Sequence, residues 1–267
     1  MFFIDNEVII RLGSFTVVFL IMALWEKVAP RRALNTSKIT RWGNNLSITF
    51  LNSVAVKFVF PITAIGVALM ARKEGIGILN IMDIPSLTGG FIAIIALDLT
   101  IYSQHRLFHQ VPLFWRLHRM HHTDLDIDVT TGARFHPVEI LFSMLIKMAA
   151  ILLIGAPPWS VLAFEVLLNA TSMFNHSNIF VSHGIDRVVR LLIVTPDMHR
   201  VHHSVIIEET NSNYGFNLSF WDRLFNTYKS QPERGHGAMT VGLANYRDSK
   251  YLTLPWMLVT PFLARER

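Results

Sequence analysis

The chain has no cysteine among its 267 residues. That removes disulfides, thiolate metal sites, cysteine nucleophiles and iron–sulfur clusters, and it leaves the redox compartment open. Charge is scarce too: 16% of residues are Asp, Glu, Lys or Arg, against about 25% in an average soluble domain. Several catalytic signatures are missing. There is no His-Glu-x-x-His, so a zinc protease is unsupported. Gly75-Ile-Gly77 does not continue into a Gly-x-Gly-x-x-Gly fingerprint for a flavin or nicotinamide. His136-Pro137-Val138-Glu139 is not the His-Pro-Gly-Gly of a fused cytochrome b5. No solenoid-length repeat and no low-complexity tract is visible.

What fills the chain instead is apolar: 51% of residues are hydrophobic and the mean hydropathy is +0.38. This is the composition of a membrane protein. The net charge of +5 fits anionic lipid headgroups better than nucleic acid, since no nucleic-acid reading motif is present. Apolar runs lie at about 8–25, 47–70, 87–103, 138–156 and 158–175, and a bilayer core needs about 20 helical residues. The N-terminus, Met1-Phe2-Phe3-Ile4-Asp5, lacks a basic leader, so the first run is expected to stay as an anchor. Arg11 is expected to snorkel from its end. Lys57 sits in the middle of the second run and is expected to face protein or water. Ala156-Pro157-Pro158 predicts a tight helical hairpin between the last two runs. Tyr251–Ala264, with Trp256 and Phe262, reads as interfacial rather than spanning.

Basic residues set the orientation. Lys27, Arg31, Arg32, Lys38 and Arg41 face only Glu26 in the first loop, which places that loop in the cytoplasm. Counting spans then puts 105–137 and 183–267 on the cytoplasmic side. All three histidine groups reach that side.

Eleven of the 12 histidines fall between His105 and His203. They form His105-Arg-Leu-Phe-His109, His118-Arg-Met-His121-His122 and His199-Arg-Val-His202-His203. On a helix, residues i and i+4 share a face, and His-x2-His-His fans over roughly 100°. Neutral imidazole is a strong ligand for Zn, Fe and Cu. Eight imidazoles are too many for one tetrahedral ion and about right for two metals. A single histidine outside these groups reads as a surface residue, as for His236; His183 is left open. A transporter would place its ligands at the bilayer midplane, whereas these lie in segments rich in Arg106, Arg116 and Arg119.

The pattern His-x3-His, His-x2-His-His, His-x2-His-His resembles the fatty acid hydroxylase / sterol desaturase superfamily of integral-membrane di-iron oxygenases. Asp98 and Tyr102, Arg134-Phe-His136-Pro137-Val-Glu139, Asn175-His176-Ser-Asn178, Thr195-Pro196, Asn211-Ser-Asn213-Tyr214-Gly215 and Trp221-Asp222-Arg223-Leu224-Phe225 add to the likeness. It covers about residues 90–228 within one membrane-embedded domain, 1–267. Asn226 departs from the glycine often found there. The resemblance implies an all-α fold: a bundle of about four to five transmembrane helices with a cytosolic helical cap around a dimetal site. Carried over by motif, the metal ligands are His105, His109, His118, His121, His122, His176, His199, His202 and His203. It implies two iron ions (zinc in purified protein being equally compatible), O2 as co-substrate, a membrane lipid as substrate and a separate electron-transfer protein. The expected reaction is hydroxylation or desaturation of a sterol, fatty acyl or ether lipid. A zinc-dependent lipid hydrolase or a non-catalytic metal-binding membrane protein would use the same platform.

Supporting roles are also expected. Asp98 lies seven residues before His105, on nearly the same helix face, and is expected to orient a ligand histidine. Asp197 is expected to cap the helix of the third group. Arg134 and Glu139 are expected to pair around His136, which stays outside the ligand set because His-Pro reads as a helix start. Asn175, Asn178 and Asn213 fit either partners of the ligand histidines or plain turns. Phe108, Phe114, Trp115 and Phe135 are expected to line the lipid entrance or, on the plainer and preferred reading, to form an interfacial belt.

Overall fold

A computed structural model of the chain describes residues 6–264. Met1 to Asp5, on which the expectation about the leader rests, lie outside them. Among the described residues the fold is helical, with only isolated β-bridges. Helix α1 (Glu7–Val28) is followed by α2 (Lys38–Val59), which starts where Ser37 accepts a hydrogen bond from the Thr40 amide. The apolar run expected at 47–70 is not one helix. Pro61 lacks an amide donor and forces Phe60 into an extended conformation, so α2 stops and α3 (Ala64–Lys73) begins under a Thr63 cap. Lys57 therefore lies in the last turn of α2 and is exposed. A short α4 (Ile78–Ile81) precedes α5 (Ser86–Gln110). Pro112 then opens α6 (Pro112–His122) and turns it back on α5.

Helices α7 (Pro137–Ile154) and α8 (Pro158–Asn175) form the expected hairpin. Gly155 takes a left-handed φ of 73° and ends α7, and the Pro157-Pro158 pair starts α8. α1 packs on α8, α2 on α7, and α5 on both. Ala93, Leu97 and Ile101 of α5 meet Ile151 of α7 and Val161 and Phe164 of α8 in the largest apolar cluster. The outward faces remain apolar: Val8, Leu12, Leu20 and Leu24 of α1 are exposed with no protein over them, as a lipid-facing helix requires.

Among the described residues, four helical stretches are long and apolar enough to cross a membrane: Glu7–Val28, Lys38–Ile81, Ser86–Gln110 and Pro137–Ile154. α8 is not among them; Glu165 and Asn169 interrupt its apolar sequence. Arg11 does not snorkel. It pairs with Glu7 and with Glu165 of α8. The helices α6, α9 (His183–Val189) and α10 (Pro196–His202) and the segments after them gather at one end of the bundle. The α1–α2 link is there too, its Arg31 amide donating to the Asn178 carbonyl at 2.7 Å. Leu254–Val259 is six residues long and packs through Met257 on Met120 and Ile48.

At the opposite end two turns touch. Gly77 has φ of 97°, and a Cβ there would lie 2.2 Å from the Gly155 amide nitrogen. Gly77→Ala should therefore destabilise the bundle by about 2 kcal/mol or more, from the strained φ plus the clash. The check is the thermal unfolding midpoint in detergent; an unchanged midpoint would show that the two turns are free to separate.

Candidate metal centre

The nine histidines expected as ligands converge into two buried groups at the capped end. His105, His109, His118, His122 and His202 form one; His121, His176, His199 and His203 form the other. Within each group the available nitrogen atoms lie within 4.8 Å of one another. With metal–nitrogen bonds of about 2.0–2.1 Å, either group closes on an ion with small shifts. The partition follows helix geometry. The i, i+4 pairs 105/109, 118/122 and 199/203 each stay together. Consecutive residues point about 100° apart, so each His-His dipeptide is split: His121 from His122, and His202 from His203.

Hydrogen bonds fix which nitrogen is bare. A carbonyl can only accept, so an imidazole nitrogen facing one must carry the proton. His105 Nδ1 donates to the Tyr214 carbonyl at 2.7 Å, His121 Nδ1 to Arg134 at 3.0 Å, His176 Nδ1 to Ser172 at 2.8 Å and His202 Nδ1 to Ser212 at 2.7 Å. His118 Nδ1 donates to the Glu139 carboxylate at 2.6 Å. The Nε2 atoms of these five rings are then lone-pair acceptors. Yet His105 Nε2 lies 3.1 Å from His118 Nε2, and His121 Nε2 lies 3.2 Å from His176 Nε2. Two bare nitrogens facing at that distance repel unless a cation lies between them. His109, His122 and His203 add buried ring nitrogens with no hydrogen-bond partner. The donor set thus fits two cations.

Burial keeps the rings neutral. It pushes His121, His122, His199, His202 and His203 well below the ordinary imidazole value, with neighbouring imidazoles adding to the effect, and takes His176 down to about 4. Neutral imidazole is the form that binds metal.

The rest of the expected site is redistributed. Asp98 is buried but meets no histidine: it accepts from Trp221 Nε1 at 2.9 Å and the Leu218 amide at 3.2 Å. It anchors the tail of the fold, because the residues after the third group return to α5. Glu139 pairs with His118 rather than Arg134. Arg134 instead donates to Met120, Thr123, Asn45 and Tyr251. Thr195, not Asp197, caps α10, and Asp197 pairs with Arg31 and Arg200. His136 caps α7 through Nδ1 and stays outside both groups, as read from its proline. His183 is exposed and also outside them, whereas His236 is buried beside Asp197 at 3.6 Å, not on the surface. Asn175, Asn178 and Asn213 brace backbone carbonyls. The aromatics form no belt. Phe135 stacks on His121 at 4.5 Å, Trp115 packs on His109 and His122, and Phe108 and Phe114 stack together.

One group escaped the sequence reading. Fully buried Arg41 of α2 grips Asp124 through two hydrogen bonds of 2.7 and 2.8 Å and Asp128 at 2.5 Å. Burial alone would raise the Asp124 carboxyl, but the Arg41 guanidinium holds it below the usual carboxylate value. This latch fixes the loop directly after His122. The signal was present as Asp124-Leu-Asp126-Ile-Asp128 beside the second group.

Comparison with known proteins agrees with the geometry. The sequence profile of the fatty acid hydroxylase family matches residues 90–227. The ornithine lipid hydroxylase of Rhizobium tropici is 31% identical over 53% of this chain and 42% of its own length. Human alkylglycerol monooxygenase is 30% identical over 54% of this chain and 31% of its own. The Delta(7)-sterol 5(6)-desaturase of Candida albicans is 30% identical over 55% and 38%. The chain thus spans less than half the length of these relatives. No solved structure matches.

Two outcomes follow from this geometry. Arg41→Met leaves Asp124 and Asp128 buried without their cation, which should cost about 3–5 kcal/mol and lower bound metal; unfolding and elemental analysis of the same preparation check both. The second outcome concerns pH. His176 is depressed from the ordinary 6.5 to about 4, so between those values the unfolded chain binds a proton that the folded chain refuses. Stability of metal-free protein should fall as pH drops through that window, by up to about 1.4 kcal/mol per unit from this group alone. The other depressed histidines steepen the fall, and a flat profile would show that the rings are not held neutral.

Proposed function

The chain belongs to the fatty acid hydroxylase family, and on that premise we propose that it uses O2 to hydroxylate or desaturate a C–H bond of a membrane lipid. The observation that carries the reading is the pair of histidine groups whose bare Nε2 atoms face one another. His105, His109, His118, His122 and His202 would hold one iron ion, and His121, His176, His199 and His203 the other. Bound there, the two ions would supply O2 binding and activation. Zinc binds such nitrogen sites more tightly than ferrous iron, so zinc in a preparation does not contradict iron in the cell.

The protein's own part is positioning. Carbonyls of Tyr214, Arg134, Ser172 and Ser212 hold the Nδ1 protons, which fixes each ring's orientation. Glu139 does the same for His118 through its side-chain oxygen. Phe135 and Phe216 lie against the rings and keep bulk water away. A cavity of about 460 Å³ opens on His105 and His118 and continues between the spans, and it would hold the lipid chain beside the reacting centre. Electrons would be delivered by a redox partner, as the family resemblance implies. The basic first loop, Lys27 to Arg41, supports a cytoplasmic position for the histidine end.

Elemental analysis of protein purified in detergent should give about two iron or zinc ions per chain, fewer in His121→Ala, and lipid profiling of cells with and without the gene should show one oxidised or desaturated product. Well-folded protein that takes up no iron on reconstitution would end the oxygenase reading, and O2-independent turnover of a lipid ester would replace it with hydrolysis.

A further inference from the structure

The cavity that opens on His105 and His118 is also lined by charge. Arg11 of α1, Lys147 of α7 and Glu165 of α8 are among its walls. Lys147 Nζ donates to Glu165 Oε1 at 2.5 Å, and Arg11 pairs with the other Glu165 oxygen and with Glu7 at 3.3 Å. Glu165 and Lys147 are 5% and 12% exposed. Ionised side chains within a membrane bundle are costly and mark functional sites by default. A buried ion pair gives little net stability in return, so structure alone is a weak reason for these three.

Their hydrogen-bonding capacity is unbalanced. Both Glu165 oxygens are engaged. Lys147 carries three N–H donors and commits one. Arg11 Nε is buried without a partner. The charges cancel, two cations against Glu7 and Glu165, while donors remain in excess of acceptors. What would satisfy this group is a neutral or weakly charged acceptor oxygen. The rest of the lining mixes apolar side chains, among them Phe15, Ile101 and Met144, with the polar Asn52, Gln104 and Ser143. Glu139, which holds His118, and Lys147 are eight residues apart on α7, about 12 Å of helix.

We propose that Arg11 and Lys147, braced by Glu165, bind an acceptor oxygen of the substrate in this cavity. They thereby select lipids whose hydroxyl, carbonyl or carboxyl group lies about 12 Å along the cavity from the carbon presented to the histidines. This specifies the substrate class and rests on the lipid-oxidation reading. Arg11 lies outside the residues that match the family.

The test is binding of three probes of equal chain length, palmitic acid, 1-hexadecanol and hexadecane. Each displaces a fluorescent polyene fatty acid from the full-length protein in nanodiscs, and bound metal is measured alongside. Wild-type protein should prefer the two oxygen-bearing probes by about tenfold or more, the worth of a charge-assisted hydrogen bond. Arg11→Gln and Lys147→Met should remove the preference while leaving hexadecane binding and metal content unchanged, and Lys147→Arg should keep it. Equal binding of all three probes, or a preference that survives both neutral variants, would overturn the proposal. So would loss of the preference in Lys147→Arg, which would assign the effect to packing. Because binding is read without turnover, a protein that shows the preference but holds no iron would fail the oxygenase reading and not this one.

Discussion

The arrangement that the rest of the fold serves is the locking of imidazole protons. Nine histidines buried in two groups are tolerable only as neutral rings, and they are useful to a cation only if bare nitrogens point inward. A ring left alone can put its proton on either nitrogen. Here five rings have lost that choice, because Nδ1 of each donates to a fixed oxygen. Those oxygens belong to Arg134, Glu139, Ser172, Ser212 and Tyr214, which sit on four different segments. The loops between the histidine motifs therefore deliver carbonyls as much as they connect helices. Asp98 contributes at one remove, by tying Trp221 and Leu218 to α5 and so holding the segment that carries Tyr214.

Most buried charges stitch this end of the bundle together. Arg41 reaches Asp124 and Asp128, Glu26 accepts from the amides of Val129 and Asn178, and Arg31 reaches Asp197. In each case a residue of the first two helices or their link braces a segment carrying histidines. None of Glu26, Arg31 and Arg41 lies within residues 90–227. A buried charge stripped of its partner is expensive, so these contacts fix register: the first two helices can dock in one position only.

The relatives are named for an ornithine lipid, an alkylglycerol and a sterol, three unlike molecules. Division of labour within the chain offers a physical reason. The histidine groups are built from α5, α6, the C-terminal part of α10 and the end of α8, all inside the family-matched residues. Part of the cavity wall comes from Arg11 and Phe15 of α1 and Thr49 and Val56 of α2, outside them. Changing those wall residues alone would reshape the cavity without touching a histidine.

The sequence by itself determined the helical membrane architecture, since apolar runs of sufficient length can satisfy their backbone in lipid only as helices. It also determined the nine clustered histidines, because i, i+4 spacing is a local property of a helix. The hairpin at Pro157-Pro158 and the cap at His136 were legible for the same local reason. Other features belonged to the tertiary structure alone. Which ring joins which group, the pairing of Glu139 with His118 in place of Arg134, the capture of Arg11 by Glu165 and the Arg41 latch all join residues far apart in the chain. Sequence spacing carries no direction for such contacts. Burial decides them, by making each buried charge and each ring proton find its partner from whatever the packed helices bring within reach.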